Sequence, residues 1–176
     1  AEYRTRLALI HNDLGTLIFK LGRQREAEAE FRAALKLAVK LAADFPTNPG
    51  FRAGLADDRV GLANMLSADG RLPEAEATLR RIAQLAPGDV ESLLALERVL
   101  VQQQKLDPAI EVLAKLVEVE PKRAREFYQR MSEYAAEQYH DDDAIKYAAR
   151  AVELSPNDAN GHQKLGEKYK RRQDVP

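Results

Sequence analysis

The chain has 176 residues, 45% of them apolar and 31% charged, so it has enough Leu and Ala to fold and does not read as disordered. Lys and Arg number 27 against 28 Asp and Glu, a formal net charge of −1, which argues against a protein built to neutralise phosphates. There is no Cys, so disulfides, thiolate metal sites and cysteine nucleophiles are all excluded. No apolar run approaches the ~20 residues of a membrane span, and the N-terminus lacks a signal-like apolar core. We therefore expect neither a membrane nor a nucleic acid as partner, and favour the cytoplasm. The chain opens on Ala1 rather than Met, which suggests a processed chain or a segment of a longer protein.

Taken in chain order, apolar spacing predicts helices over 2–20, 24–44, 51–68, 73–85, 89–103, 107–119, 123–138, 142–154 and 158–171. The segments 91–103, 109–119 and 144–154 carry apolar residues at i, i+3, i+4 and i+7, and no stretch alternates with period two, so no sheet is expected. Asp107-Pro108 reads as N-cap followed by the first helical position, and Pro73 opens the run to Leu85. Ser155-Pro156-Asn157-Asp158 ends one helix and caps the next.

Two spacings organise these helices. Pro87 and Pro121 lie 34 residues apart, Pro156 follows 35 later, and Asp107-Pro108-Ala109-Ile110 answers to Asp142-Asp143-Ala144-Ile145. Upstream, Tyr3-Arg4, Leu14-Gly15, Gly22-Arg23 and Glu26-Ala27-Glu28-Ala29 recur 48 residues later. The second copies are Phe51-Arg52, Leu62-Ala63, Gly70-Arg71 and Glu74-Ala75-Glu76-Ala77.

This pattern resembles the tetratricopeptide repeat, a 34-residue antiparallel helix pair. Its Leu at position 7 and small residue at 8 fall on Leu14-Gly15 and Leu62-Ala63. Its Ala at position 20 falls on Ala27, Ala75, Ala109 and Ala144, and its closing proline on Pro87, Pro121 and Pro156. Leu165, Gly166 and Tyr169 begin a fifth repeat. The resemblance implies an all-α, right-handed solenoid of antiparallel helix pairs in a single array. Its repeats are at about 2–50, 51–87, 88–121 and 122–156, with a terminal helix at 157–176. In the N-terminal half the proline arrives seven residues late, at Pro46, and seven more separate it from Leu62. Both flanking helices are thus longer by about two turns, which returns the apolar stripe to the same face. That long form is similar to arrays in large bacterial proteins, some attached to serine/threonine kinases.

Two departures stand out. Position 8 of the third repeat is Glu97, where a small residue is the rule. Position 15, glycine in Gly22 and Gly70, is Gln104 and Tyr139 in repeats three and four. A left-handed backbone at those two residues would cost about 1–2 kcal/mol each, so repeats three and four are expected to turn differently.

No residue set reads as an active site. His11, His140 and His162 are scattered, and Asp141-Asp142-Asp143 is expected to cap the next helix rather than bind a metal. No nucleophile elbow, phosphate loop or dinucleotide fingerprint occurs. Glu26, Glu28 and Glu30 are expected on a solvated helix start. Lys164, Lys168, Lys170, Arg171 and Arg172 crowd the last helix, where cations suit a helix C-terminus. No catalytic residue, cofactor or metal is expected.

The resemblance implies a non-catalytic scaffold that binds a protein or peptide segment in a concave groove. The alternative is a regulatory or substrate-recruiting segment of a larger enzyme such as a kinase. RNA binding by a helical repeat is disfavoured by the charge. In the family, helix A positions 2, 5, 9, 12 and 13 face the groove. Here they fall on Asn12, Thr16, Phe19 and Lys20, then Asp57, Val60, Asn64 and Ser67. They continue through Glu91, Leu94, Arg98, Val101 and Gln102 to Glu126, Gln129, Glu133 and Glu137. Position 5 is Asn12, Val60 and Leu94, so the carboxylate clamp of chaperone-binding members is not matched. The acidic residues near 126–137 suggest a basic or amphipathic ligand. Because the chain starts inside one repeat and ends inside another, weak end-to-end self-association is also expected.

Overall fold

The computed structural model describes residues 1–45 and 47–173. At 49, 51–53, 55–59 and 85 it describes the backbone alone. Among the described residues the secondary structure is helical throughout, with no strand. The chain divides into two compact units, Ala1–Val99 and Leu100–Pro176.

The first unit holds α1 (Glu2–Lys20), α2 (Gln24–Asp44), α3 (Pro49–Ala68), α4 (Leu72–Leu85) and all but the last turn of α5 (Val90–Gln102). Consecutive helices pack as pairs, α1 on α2, α2 on α3 and α3 on α4, and α1 also touches α3. Phe31 of α2 sits at their junction, 3% exposed. A Cβ built on Gly15 of α1 would lie 3.2 Å from its ring, and one on Gly61 of α3 would lie 3.1 Å away. Two glycines on two helices therefore make room for one aromatic ring. Ala27, Ala34, Ala38 and Leu41 continue that buried face of α2, and Leu62, Ala63, Leu66, Leu79 and Ile82 close the core. α3 begins two residues before the expected 51, because Pro49 holds the first helical position and Asn48 Oδ1 accepts the Gly50 N–H at 2.9 Å. Asp89 caps α5, accepting the Ser92 N–H at 2.8 Å. Glu97 is fully buried. The Pro46 landmark and the side chains of Phe51, Arg52 and Asp57 lie outside the described residues.

The second unit holds α6 (Leu106–Val119), a short 3-10 turn at Pro121–Arg123, α7 (Ala124–Glu137), α8 (Asp141–Glu153) and α9 (Ala159–Gln173). Its pairs are α6 on α7, α7 on α8 and α8 on α9. Ala135, Ala136 and Ala144 form a small-residue contact backed by Ile110 and Tyr147. At position 8, Ser132 is buried and donates its hydroxyl to the Ala144 carbonyl at 2.6 Å, which ties α7 to the first turn of α8.

Three local expectations are corrected. First, repeats three and four do not turn differently. Gln104 and Tyr139 adopt φ of 59° and 62°, beside 77° and 78° for Gly22 and Gly70. All four turns make the same Schellman pair of hydrogen bonds, for example Arg23 N–H to Ile18 O at 3.2 Å and Lys105 N–H to Leu100 O at 2.9 Å. Satisfying the last carbonyls of a packed helix outweighs the left-handed cost. Second, Asp107 and the Asp141–Asp143 acids are not N-caps. Both helices start earlier, after Lys105 and His140, with no side-chain cap bond, and these acids occupy the first turn. They still favour the positive helix end, through its field rather than a cap bond. Third, Glu28 and Glu30 are half-buried in interhelical pairs rather than freely solvated. Glu28 pairs with Arg71 of α4 at 2.6 Å and with Arg32, and Glu30 meets His11 Nδ1 of α1 at 2.6 Å.

Candidate protein-binding faces

In the first unit, α1 carries Asn12 and Phe19 half-buried, with Thr16 and Lys20 exposed. α3 carries Asn64 exposed and Ser67 half-buried. The two rows meet where the Asn12 amide oxygen lies 2.9 Å from a Cβ that Gly61 does not have. Val60 is 4% exposed and belongs to the core, so it offers a ligand nothing. On α5, Glu91 and Arg98 are exposed and Leu94 half-buried. Val101 and Gln102 fall in the second unit, half-buried and exposed respectively.

The second unit places Glu126, Gln129, Glu133 and Glu137 on α7, with α9 beside them. A cleft there is lined by Gln129, Ser132 and Glu133 of α7, Ala148 and Ala151 of α8, and Gly161, Lys164 and Lys168 of α9. It continues along α9 past Glu167 to Arg171. The groove residues expected from the sequence leave out the α9 side of this cleft, although its signal is present. The 35-residue step from Pro121 to Pro156, applied to Glu126, Gln129 and Glu133, gives Gly161, Lys164 and Lys168.

Two of the acids expected on this face are paired. Glu126 is held by Arg123 at 3.0 Å, and Lys164 neutralises Glu133 at 2.8 Å. The basic residues of the last helix are correspondingly engaged. Arg171 reaches Asp141 at 3.2 Å and stacks 5.0 Å over the Tyr139 ring, while Arg172 reaches Asp142 at 2.9 Å. Lys168 is engaged more weakly. It is half-buried, and among the described residues its ammonium makes a long 3.4 Å contact with the Ser132 carbonyl. Desolvation pulls its pKa below the usual lysine value; Arg171 and Lys164 add to that, and Glu133 and Asp141 oppose it. A second cleft among α6, α7 and α8, lined by Tyr128, Met131, Lys146, Tyr147 and Arg150, contains none of the expected groove residues.

Among the described residues, no group of three or more His, Asp or Glu is placed to hold a metal ion. No described helix is long and apolar enough to cross a membrane.

Residues 66–130 match the family model for the tetratricopeptide repeat. That stretch, 65 of the 176 residues, carries tetratricopeptide-repeat sequence. Solved structures agree with the fold along nearly the whole length of the chain. A crystal structure of MamA protein superposes with a TM-score of 0.67 at 17% identity, covering 95% of this chain and 83% of that one. MamA 41-end from Desulfovibrio magneticus RS-1 gives 0.64 at 17% identity, covering 95% and 86%. MamA MSR-1 C2 gives 0.61 at 21%, covering 94% and 87%. At such identities the likeness concerns the fold of the repeat array. No curated protein sequence matches this one.

Proposed function

We propose that this repeat protein is a non-catalytic scaffold that binds a segment of another protein on the faces of its first-in-pair helices. In the first unit the contacting residues are Asn12, Thr16, Phe19 and Lys20 of α1, Asn64 and Ser67 of α3, and Glu91, Leu94 and Arg98 of α5. In the second they are Glu126, Gln129, Glu133 and Glu137 of α7, joined by Lys164 and Lys168 of α9. The family match and the fold support the scaffold reading.

The observation that carries the ligand chemistry is Lys168, a partly desolvated ammonium at a cleft whose acids are already compensated. A carboxylate placed over it would restore the charge partner that the fold does not supply, and charge-assisted hydrogen bonds are the stronger kind. The bound segment is therefore acidic rather than basic.

Fluorescence anisotropy with two labelled peptides of about twelve residues tests this, one alternating Glu with Leu and one alternating Lys with Leu. The acidic peptide should bind, and Lys168→Met should weaken it about tenfold, which is about 1.4 kcal/mol. Tighter binding of the basic peptide, or no effect of Lys168→Met, would overturn the acidic-segment reading.

A further inference from the structure

α1 buries one face and leaves another uncovered. Ala8 and Gly15 are its buried residues, turned to Phe31 and α2. Around the helix by about 130° runs a second apolar row. Tyr3, Ile10, Leu14, Leu17 and Leu21 are 76%, 59%, 39%, 57% and 64% exposed. With half-buried Leu7, their spacing is four, three, four, three, four. That alternation is the seam of a helix that pairs with another helix by knobs into holes. An uncovered patch on the order of 500 Å² lies toward the upper end of the largest patch a monomer carries, and patches of that size are often functional.

Three observations choose the occupant. The row is self-complementary about a two-fold axis: laid antiparallel, Tyr3 meets Leu21 of the second copy, Leu7 meets Leu17, and Ile10 meets Leu14. Two such rows bury on the order of 1,000 Å², at the lower edge of specific interfaces. The rim carries Glu2, Arg6, Asp13 and Lys20, two of each sign, and the whole chain has a net charge of −1, so little field opposes an identical surface. Among the described residues the second unit has no matching seam. Its exposed large apolar residues, Val119, Tyr139, Leu154 and Tyr169, are scattered over four elements, and α9 is dominated by charge. This asymmetry favours like against like over the end-to-end stacking expected from the repeat boundaries.

We propose that two copies of this chain associate through the Tyr3–Leu21 row of α1, as an antiparallel, two-fold helix pair. Light scattering of the full chain from about 5 to about 500 µM should show the mass rise from 19.7 kDa toward twice that value. The dissociation constant should be on the order of 10–100 µM. The exposed pair Ile10→Glu and Leu17→Glu should hold the mass at one copy with helicity unchanged, whereas Leu154→Glu with Tyr169→Glu should leave dimerisation intact. The absence of Cys permits a check of direction. A mixture of Tyr3→Cys and Leu21→Cys chains should cross-link to each other under oxidation far faster than either alone. A constant monomer mass, growth beyond two copies, a dimer that survives the α1 pair, or Tyr3→Cys linking chiefly to itself would overturn the proposal.

Discussion

The four left-handed turns offer a test in which sterics and backbone conformation separate. At Gly22 and Gly70, with φ of 77° and 78°, a Cβ would meet nothing within 4 Å. Any loss on Gly→Ala is then conformational. A left-handed alanine costs about 1–2 kcal/mol, and the stiffer unfolded chain returns about 0.5–1, so each variant should lose about 0.5–1 kcal/mol. Gln104, at φ 59°, is the converse case, and Gln104→Gly should gain about as much. For a chain of this size that gain moves the melting temperature up by about 1–4 °C. Tyr139→Gly should gain less, because it also loses the Arg171 guanidinium 5.0 Å over the ring, a contact worth about 0.5–1 kcal/mol. Urea and thermal denaturation followed by far-ultraviolet circular dichroism give the values. If Gln104→Gly destabilised the chain, or Gly22→Ala left it unchanged, the left-handed Schellman turn would not be what sets these residues' stability.

Phe31→Ala should cost about 3–5 kcal/mol, because the two glycines that admit the ring cannot fill the cavity it leaves; a loss under about 1 kcal/mol in urea titration would refute that packing. Arg71 and then Arg32 hold the Glu28 carboxyl below its usual pKa of 4.5. A depressed acid contributes stability fully present above the unfolded value and lost as pH falls through the folded one, so Glu28→Gln should flatten the loss of stability below about pH 4.5, seen in urea midpoints against pH. Lys168→Met should raise stability at pH 7 while weakening acidic-peptide binding, since the half-buried ammonium opposes folding in full below its lowered pKa and progressively less as pH rises toward the ordinary lysine value. A variant less stable and equally competent to bind would make Lys168 a packing residue only.

The helices were legible because apolar spacing and the repeat agree, so that all nine expected helices have at least one end within one residue of the observed end. The turn at Gln104 was not, because local propensity argues against a left-handed glutamine and only the packed pair of helices requires it. The Asp107 and Asp141–Asp143 caps failed for a related reason. Each helix gains its opening turn from the preceding Schellman motif, which carries the chain into the helix before the acid is reached. The ion pairs of the α7 face were not legible because sequence shows Glu126 and Glu133 but not the partners that fold against them, one from the preceding turn and one from α9. The apolar row of α1 was equally hidden, since helical spacing identifies apolar positions without saying which of two faces is covered.

Hydrogen exchange of the full chain with and without a saturating Glu-Leu peptide tests the scaffold reading most directly, because it locates binding without a mutation. Slower exchange should appear within α7 (Ala124–Glu137) and α9 (Ala159–Gln173), and should vanish in Lys168→Met. Protection confined to other helices, or identical exchange in the presence and absence of peptide, would contradict it.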